Sequence, residues 1–134
     1  MRTLFLVSAM ALLGLAACDD GTQPPPPSKG AEAKAAMNDA SLRYGECVDK
    51  GSKTVPVAEK TSSEIADEAF AGCKDDRQTL LDAVLHFRRI GYPSEPQATS
   101  QAVAEQSVTE LEDSIRERAL LTATTRRLGN GKVR

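Results

Sequence analysis

Tryptophan is absent from this chain of 134 residues, histidine occurs once, and the aromatic side chains are limited to two tyrosines and three phenylalanines. A core with so few rings has to be assembled from alanine and small aliphatic side chains, so it will be thin. One histidine leaves little material for a metal site. An excess of charge of one sign is missing too, since 17 Lys and Arg face 19 Asp and Glu, for a net charge of −2. That balance argues against nucleic acid as a partner, which calls for a basic face. The length admits one small domain and excludes a two-domain enzyme. Phosphate-loop, zinc-ligand and dinucleotide fingerprints are missing. Neither strand alternation nor an internal repeat is found.

What is present begins at the N-terminus. Met1 and Arg2 make a minimal positive start, and Thr3 to Ala17 is uncharged. The run is shorter than the roughly 17–25 apolar residues of a membrane span and suits the apolar segment of a signal peptide. Asp19 and Asp20 follow at once. At the end of the run, Leu15-Ala16-Ala17-Cys18 resembles the lipobox of bacterial lipoproteins, in which Leu and two small residues precede Cys. The resemblance covers residues 1–20. It implies that the thiol of Cys18 receives a diacylglyceryl group and that a dedicated signal peptidase removes residues 1–17. It further implies that the new amino group is acylated. Three acyl chains hold far more firmly than the marginal single chain. The alternative is an ordinary secretory peptide that leaves Cys18 a free thiol. In enteric bacteria an Asp after the Cys goes with retention in the inner membrane. Asp19 therefore implies the periplasmic face of the inner membrane, with the outer membrane as the alternative.

Residues 18–30 read as the lipidated Cys and a Pro-rich tether. Pro24 to Pro27 favour polyproline II, rising about 3.1 Å per residue, so Asp19–Gly30 spans at most roughly 35 Å. The tether holds residues 31–128, a helical domain, clear of the headgroups. Residues 129–134 read as a flexible basic tail.

Within the domain, Ala33, Met37, Ala40, Tyr44, Cys47, Val48 and Gly51 follow helical steps along one face. Gly51 and Pro56 place the end of this helix between Cys47 and Val55. Leu42 lies off the stripe, in position for a second neighbour. The next helix opens on a capping box, Thr61-Ser62-Ser63-Glu64, with Ser62 as a competing cap. Ile65, Ala66, Ala69, Phe70 and Cys73 share a face, Lys74 to Arg77 interrupt it with charge, and Leu80, Leu81, Val84, Leu85 and Phe87 resume it. One helix with a polar waist is the favoured reading. Arg88 and Arg89, a left-handed cap at Gly91, and Pro93 close it. Thr99 or Ser100 caps a third helix with the stripe Ala104, Val108, Leu111, Ile115, Ala119 and Thr122. Glu112 and Arg116 stand at i,i+4 for an ion pair, and Gly129 closes the helix. Residues 31–128 contain 19 Leu, Ile, Val and Phe, near the 20% level below which charged chains stay disordered. Their low net charge tips the expectation toward a folded but marginal domain.

With Cys18 lipidated, Cys47 and Cys73 remain, both at core-facing helical positions. The bacterial periplasm is oxidising, and thiols on neighbouring helices there read as a disulfide. Two buried thiols and a redox pair are the alternatives, the latter lacking C-x-x-C spacing. The register poses a difficulty, because the midpoint of the loop Ser52–Lys60 lies nearer Cys47 than Cys73. Either the loop is asymmetric or the first helix runs past Gly51. Tyr44-Gly45-Glu46-Cys47 and Phe70-Ala71-Gly72-Cys73 are similar to small periplasmic helical domains in which a Tyr-x-x-Cys helix precedes an Ala-x-x-Cys helix, with Phe70 here at the Ala position. That resemblance supports the disulfide and implies no activity.

His86, beside Phe87 and Arg88, reads as a surface residue. Glu64 and Glu68, four residues apart, suit a solvated helix start better than acid–base work. Arg126, Arg127, Lys132 and Arg134 read as a helix C-terminus with a solvated tail; contact with an anionic surface is the alternative. The expected fold class is all-α, a small helical hairpin or three-helix up-down bundle with one disulfide. The expected function is a lipid-anchored periplasmic binding or interaction module of the cell envelope. It is read as non-enzymatic and free of cofactor, with the membrane as one partner through the lipid on Cys18 and an envelope protein as another. The alternative is a structural subunit of a larger envelope or secretion assembly, where docking supplies burial that a thin core lacks.

Overall fold

In a computed structural model the described residues are 28–131, and they form four helices and no strand. These are α1 (Lys29–Thr54), α2 (Ser62–Ala71), α3 (Lys74–Gly91) and α4 (Gln97–Gly131). The fold is all-α, as the periodicity requires.

Ser28 opens α1 by accepting the backbone N–H of Ala31 in its hydroxyl oxygen at 3.3 Å, which satisfies one of the four orphan donors of a helix start. The buried face of α1 is Ala33, Ala40, Tyr44, Val48 and Ser52. The buried hydroxyl of Ser52 donates to the Val48 carbonyl at 2.8 Å. The helix runs through Gly51 and stops where Pro56 forces its predecessor out of the helical region, with Val55 at φ −54°, ψ 131°.

The Thr61 capping box forms as its sequence predicts, with the Glu64 N–H reaching the Thr61 hydroxyl at 3.2 Å and the Thr61 N–H reaching Glu64 Oε2 at 2.7 Å. Ser62 is not the cap; its hydroxyl oxygen accepts from Thr124 at 2.9 Å. These bonds to Thr61 hold the Glu64 carboxyl below its ordinary range.

The single second helix expected from the sequence is divided. α2 ends at Ala71, Gly72 is its cap, and α3 restarts at Lys74. The four charges read as a polar waist are the first turn of a new helix. Asp75 and Asp76 lie where the helix dipole favours acid. α3 then buries Leu80 and Leu81. Gly91 is the last helical residue and no glycine among the described residues has positive φ, so Tyr92 takes the cap instead, its N–H on the Arg88 carbonyl at 2.8 Å.

α4 begins at Gln97, ahead of the expected caps. Ser100 lies inside the helix, buried, and donates to Glu95 Oε2 at 2.6 Å. Glu95 also takes a bidentate pair from Arg88 at 2.6 and 2.7 Å. The Arg88 and Ser100 bonds hold the Glu95 carboxyl below its ordinary range, and the turn between α3 and α4 is clamped by one carboxylate. α4 passes through Gly129 to Gly131. Lys132 to Arg134 lie outside the described residues.

Contacts fix the directions. Gly51 faces Ala69, Cys47 faces Cys73 and Gly30 faces Ile90, so α1 runs antiparallel to α2 and α3. Thr124 meets Ser62, Arg116 meets Asp67 and Arg77 meets Glu105, so α4 runs antiparallel to α2 and α3 as well. The fold is therefore a three-rod, up-down-up bundle whose middle rod is broken once. Its core is alanine-rich, with Ala40, Ala66, Ala69, Ala104 and Ala119 around Tyr44, Val48, Leu80, Val108 and Ile115.

Cys47 and Cys73 are joined by a disulfide, with a Cα–Cα distance of 6.0 Å. The register difficulty is met in both of the ways anticipated: α1 continues beyond Gly51 to Thr54, and the connection to α2 is asymmetric, Thr54 lying seven residues after Cys47 and Ser62 eleven before Cys73. Gly51 and Ala69 each lie one turn from a cysteine, both on the side of the connecting loop. A Cβ placed on Gly51 would stand 3.0 Å from the Ala69 Cβ and 3.1 Å from its Cα. Helices α1 and α2 therefore touch backbone to backbone there, and that approach brings the cysteines within bonding reach.

Candidate functional site

Two surface features could hold a ligand, and they differ in chemistry. The first is a polar seam where α2 and α3 face α4. Tyr44 is buried to 1% exposure, and its hydroxyl donates to Glu112 Oε1 at 2.6 Å. Arg77 Nε donates to the same oxygen at 2.9 Å, and its Nη2 reaches Glu112 Oε2 at 3.3 Å and Glu105 Oε2 at 3.4 Å. Burial first, and then the Glu112 carboxylate, push the Tyr44 phenol well above its ordinary range. The bond to Glu112 is likewise the main cause that raises Arg77. Beside them Arg116 pairs with Asp67 at 2.6 Å and lies over the Phe70 ring at 4.7 Å. The i,i+4 pair expected between Glu112 and Arg116 is not formed, because each has a better partner on another helix. The charges of Arg77, Glu105, Glu112, Arg116 and Asp67 are matched within the fold, so this seam stitches the rods together.

The second feature is an apolar cavity of about 390 Å³ bounded by α1, α3 and α4. Met37, Leu80, Val84, Phe87, Val103 and Leu111 make its walls. Its size falls in the range of small-molecule sites, which in bundles lie between helices. At Ser41 and Leu111 it meets a second cavity along the α1–α4 seam, lined by Asn38, Glu46, Asp49 and Arg118 among others. Leu42, expected to find a second neighbour, borders that cavity and stays 67% exposed.

Comparison with protein-family models, curated proteins and solved structures gave no match.

Of the residues singled out in the sequence, Cys47 and Cys73 are brought together and Cys18 lies outside the described residues. His86 is exposed on α3. Glu64 serves the capping box, and Glu68 pairs with Lys60. Arg126, read as a cation of the helix C-terminus, is engaged across the bundle: its Nη1 donates to the carbonyls of Ser52 at 2.6 Å and Val55 at 3.0 Å, closing the C-terminus of α1. Among the described residues no group of three or more His, Cys, Asp or Glu is placed to hold a metal ion, and no helix is long and apolar enough to cross a membrane. Sequence reasoning missed the apolar cavity. Its walls come from three helices, and Met37, Val84 and Val103 are ordinary core letters until the packing leaves a gap between them.

Proposed function

We propose that this chain is a lipid-anchored protein of the bacterial envelope, held by acyl chains on Cys18 at the periplasmic face of the inner membrane, and that its helical domain is a non-enzymatic binding module. One observation carries the reading: an apolar run ends on Leu15-Ala16-Ala17-Cys18 and is followed by a proline-rich stretch that stops where Ser28 caps α1. Anchor, spacer and domain thus follow one another without a gap. The disulfide is in keeping with an oxidising compartment, and the cavity beside α3 offers the binding surface. Intact mass of the protein extracted from native membranes tests this, with and without reduction and alkylation. A mass of residues 18–134 plus acyl chains, taking up two alkyl groups only after reduction, is the expected result. A mass without lipid, or with residues 1–17 still attached, refutes the anchor.

A second reading is a subunit of a larger envelope or secretion assembly. Leu121 and Leu128 favour it, being 69% and 67% exposed and seven residues apart on α4, hence on one face of the helix. It predicts that substituting both by Ser frees the protein from a large crosslinked complex while leaving the anchor in place.

A further inference from the structure

Ser41 and Leu111 border both cavities, and taken together the two make a furrow with unlike ends. One end is walled by Leu80, Val84, Phe87 and Val103, and is bordered also by Tyr92 and by Arg88, whose guanidinium is held by Glu95. The other presents Asn38, Glu46, Asp49 and Arg118 to solvent. Neither Glu46 nor Arg118 takes part in an ion pair among the described residues, whereas Asp49 is held by Lys53. An apolar trough leading to one unengaged cation and one unengaged anion matches a molecule with a single tail and a head of both charges. We propose that this furrow binds a single-chain zwitterionic phospholipid, its tail against α3 and its head between Arg118 and Glu46. Arg118 would take the phosphate and Glu46 the amine, each as a charge-assisted hydrogen bond. A fatty acid would leave Glu46 facing a carboxylate, and a two-tailed lipid would leave a chain in water. The proposal rests on the binding-module reading but not on the lipid anchor.

The test uses the full chain in detergent and a lysophosphatidylethanolamine with a photoreactive group in its tail. One probe per chain should attach, within the peptides holding Val84 and Leu111, and unlabelled lysophosphatidylethanolamine should compete at least tenfold better than oleate. Ser41→Phe, which puts a ring where the two cavities meet, should cut labelling at least tenfold. Arg118→Ala and Glu46→Gln lie on the exposed end, leave folding intact by circular dichroism, and should each cut it severalfold. Cys18→Ser should leave labelling unchanged, which separates the furrow from the anchor. If Cys18→Ser increases labelling, the chain's own acyl group fills the furrow and the proposal is wrong. It is equally overturned if labelling spreads to the peptide around Leu121, if oleate competes as well, or if the Arg118 and Glu46 variants bind normally. Loss of labelling on dimerisation, with a second copy covering the furrow, would also overturn it.

Discussion

Opening the Cys47–Cys73 bridge should remove a large part of the stability of the domain. The bridge closes a loop with a sequence separation of 26. Restoring that loop's freedom to the unfolded chain costs the native state about 3.5 kcal/mol in the chain-entropy treatment. A domain of this length holds only about 5–15 kcal/mol in all, and the alanine-rich core points to the lower part of that range. The corresponding fall in Tm is about 14–28 °C. With an m-value of about 1–2 kcal/mol/M, the urea midpoint should drop by about 1.8–3.5 M, and m itself should rise because the open unfolded chain exposes more surface. The assay is urea unfolding followed by helical circular dichroism, on oxidised protein, on reduced protein, and on the Cys47→Ala/Cys73→Ala double variant. Alanine is the right replacement because Cys73 is almost fully buried and a hydroxyl there would add a burial cost of its own. Reduced and double-variant proteins should agree. A midpoint shift worth less than about 1 kcal/mol would refute the loop-entropy argument, and would mean that the unfolded chain already restrains residues 47–73 without the bridge.

Four further outcomes follow from the geometry. Gly51→Ala improves helix propensity by about 1 kcal/mol yet should still destabilise, by about 1 kcal/mol net, because its Cβ meets the Ala69 backbone and overpacking of this kind costs about 1–3 kcal/mol; an Ala69→Gly partner change should recover part of the loss. Glu112→Ala strips Tyr44 and Arg77 of their shared acceptor and should cost about 1–3 kcal/mol, read by thermal unfolding. Glu64 and Glu95 have folded-state values below their unfolded ones, so their contribution is present above the unfolded carboxylate range near about 4.3 and is lost as pH falls through the folded values. Acid unfolding of Glu64→Gln and Glu95→Gln should accordingly show a flatter loss of stability below pH ~4 than wild type. At the other extreme Tyr44 has a raised folded value, so its contribution is intact below about pH 10 and declines as pH climbs toward that folded value; its phenolate absorbance, taken as wild type minus Tyr44→Phe, should emerge together with loss of helix.

Much of the fold is legible because each rod carries its own local signals. The Thr61–Glu64 box, the Pro56 and Pro93 stops and the stripe from Ala104 to Ala119 depend on neighbours three or four residues away. The break in the middle rod was not legible, because apolar residues keep helical spacing on both sides of it. The signals that mark it are Gly72 and the pair Asp75–Asp76, which look the same as a charged patch on a continuous helix. Tertiary pairings were beyond reach for a different reason. Glu112 satisfies the spacing rule with Arg116, yet Tyr44 and Arg77 arrive from other helices and take its oxygens. Arg126 looks like a solvated cation at a helix end until the end of α1 is placed under it. The furrow is the extreme case, since it is a gap between rods and has no residues of its own.

The bridge also redirects mechanical load. A protein held at its N-terminal end and pulled through a partner on α4 feels tension along the chain from Ser28. That tension travels down α1 to Cys47, crosses the sulfur–sulfur bond to Cys73, and continues into α3. Residues 48–72, including the whole of α2, carry none of it. The chain can therefore be drawn out about 90 Å less than its residue count allows. The Gly51–Ala69 crossing stays unloaded under tension, so the part of the domain that sets the register of the rods is also the part that pulling reaches last.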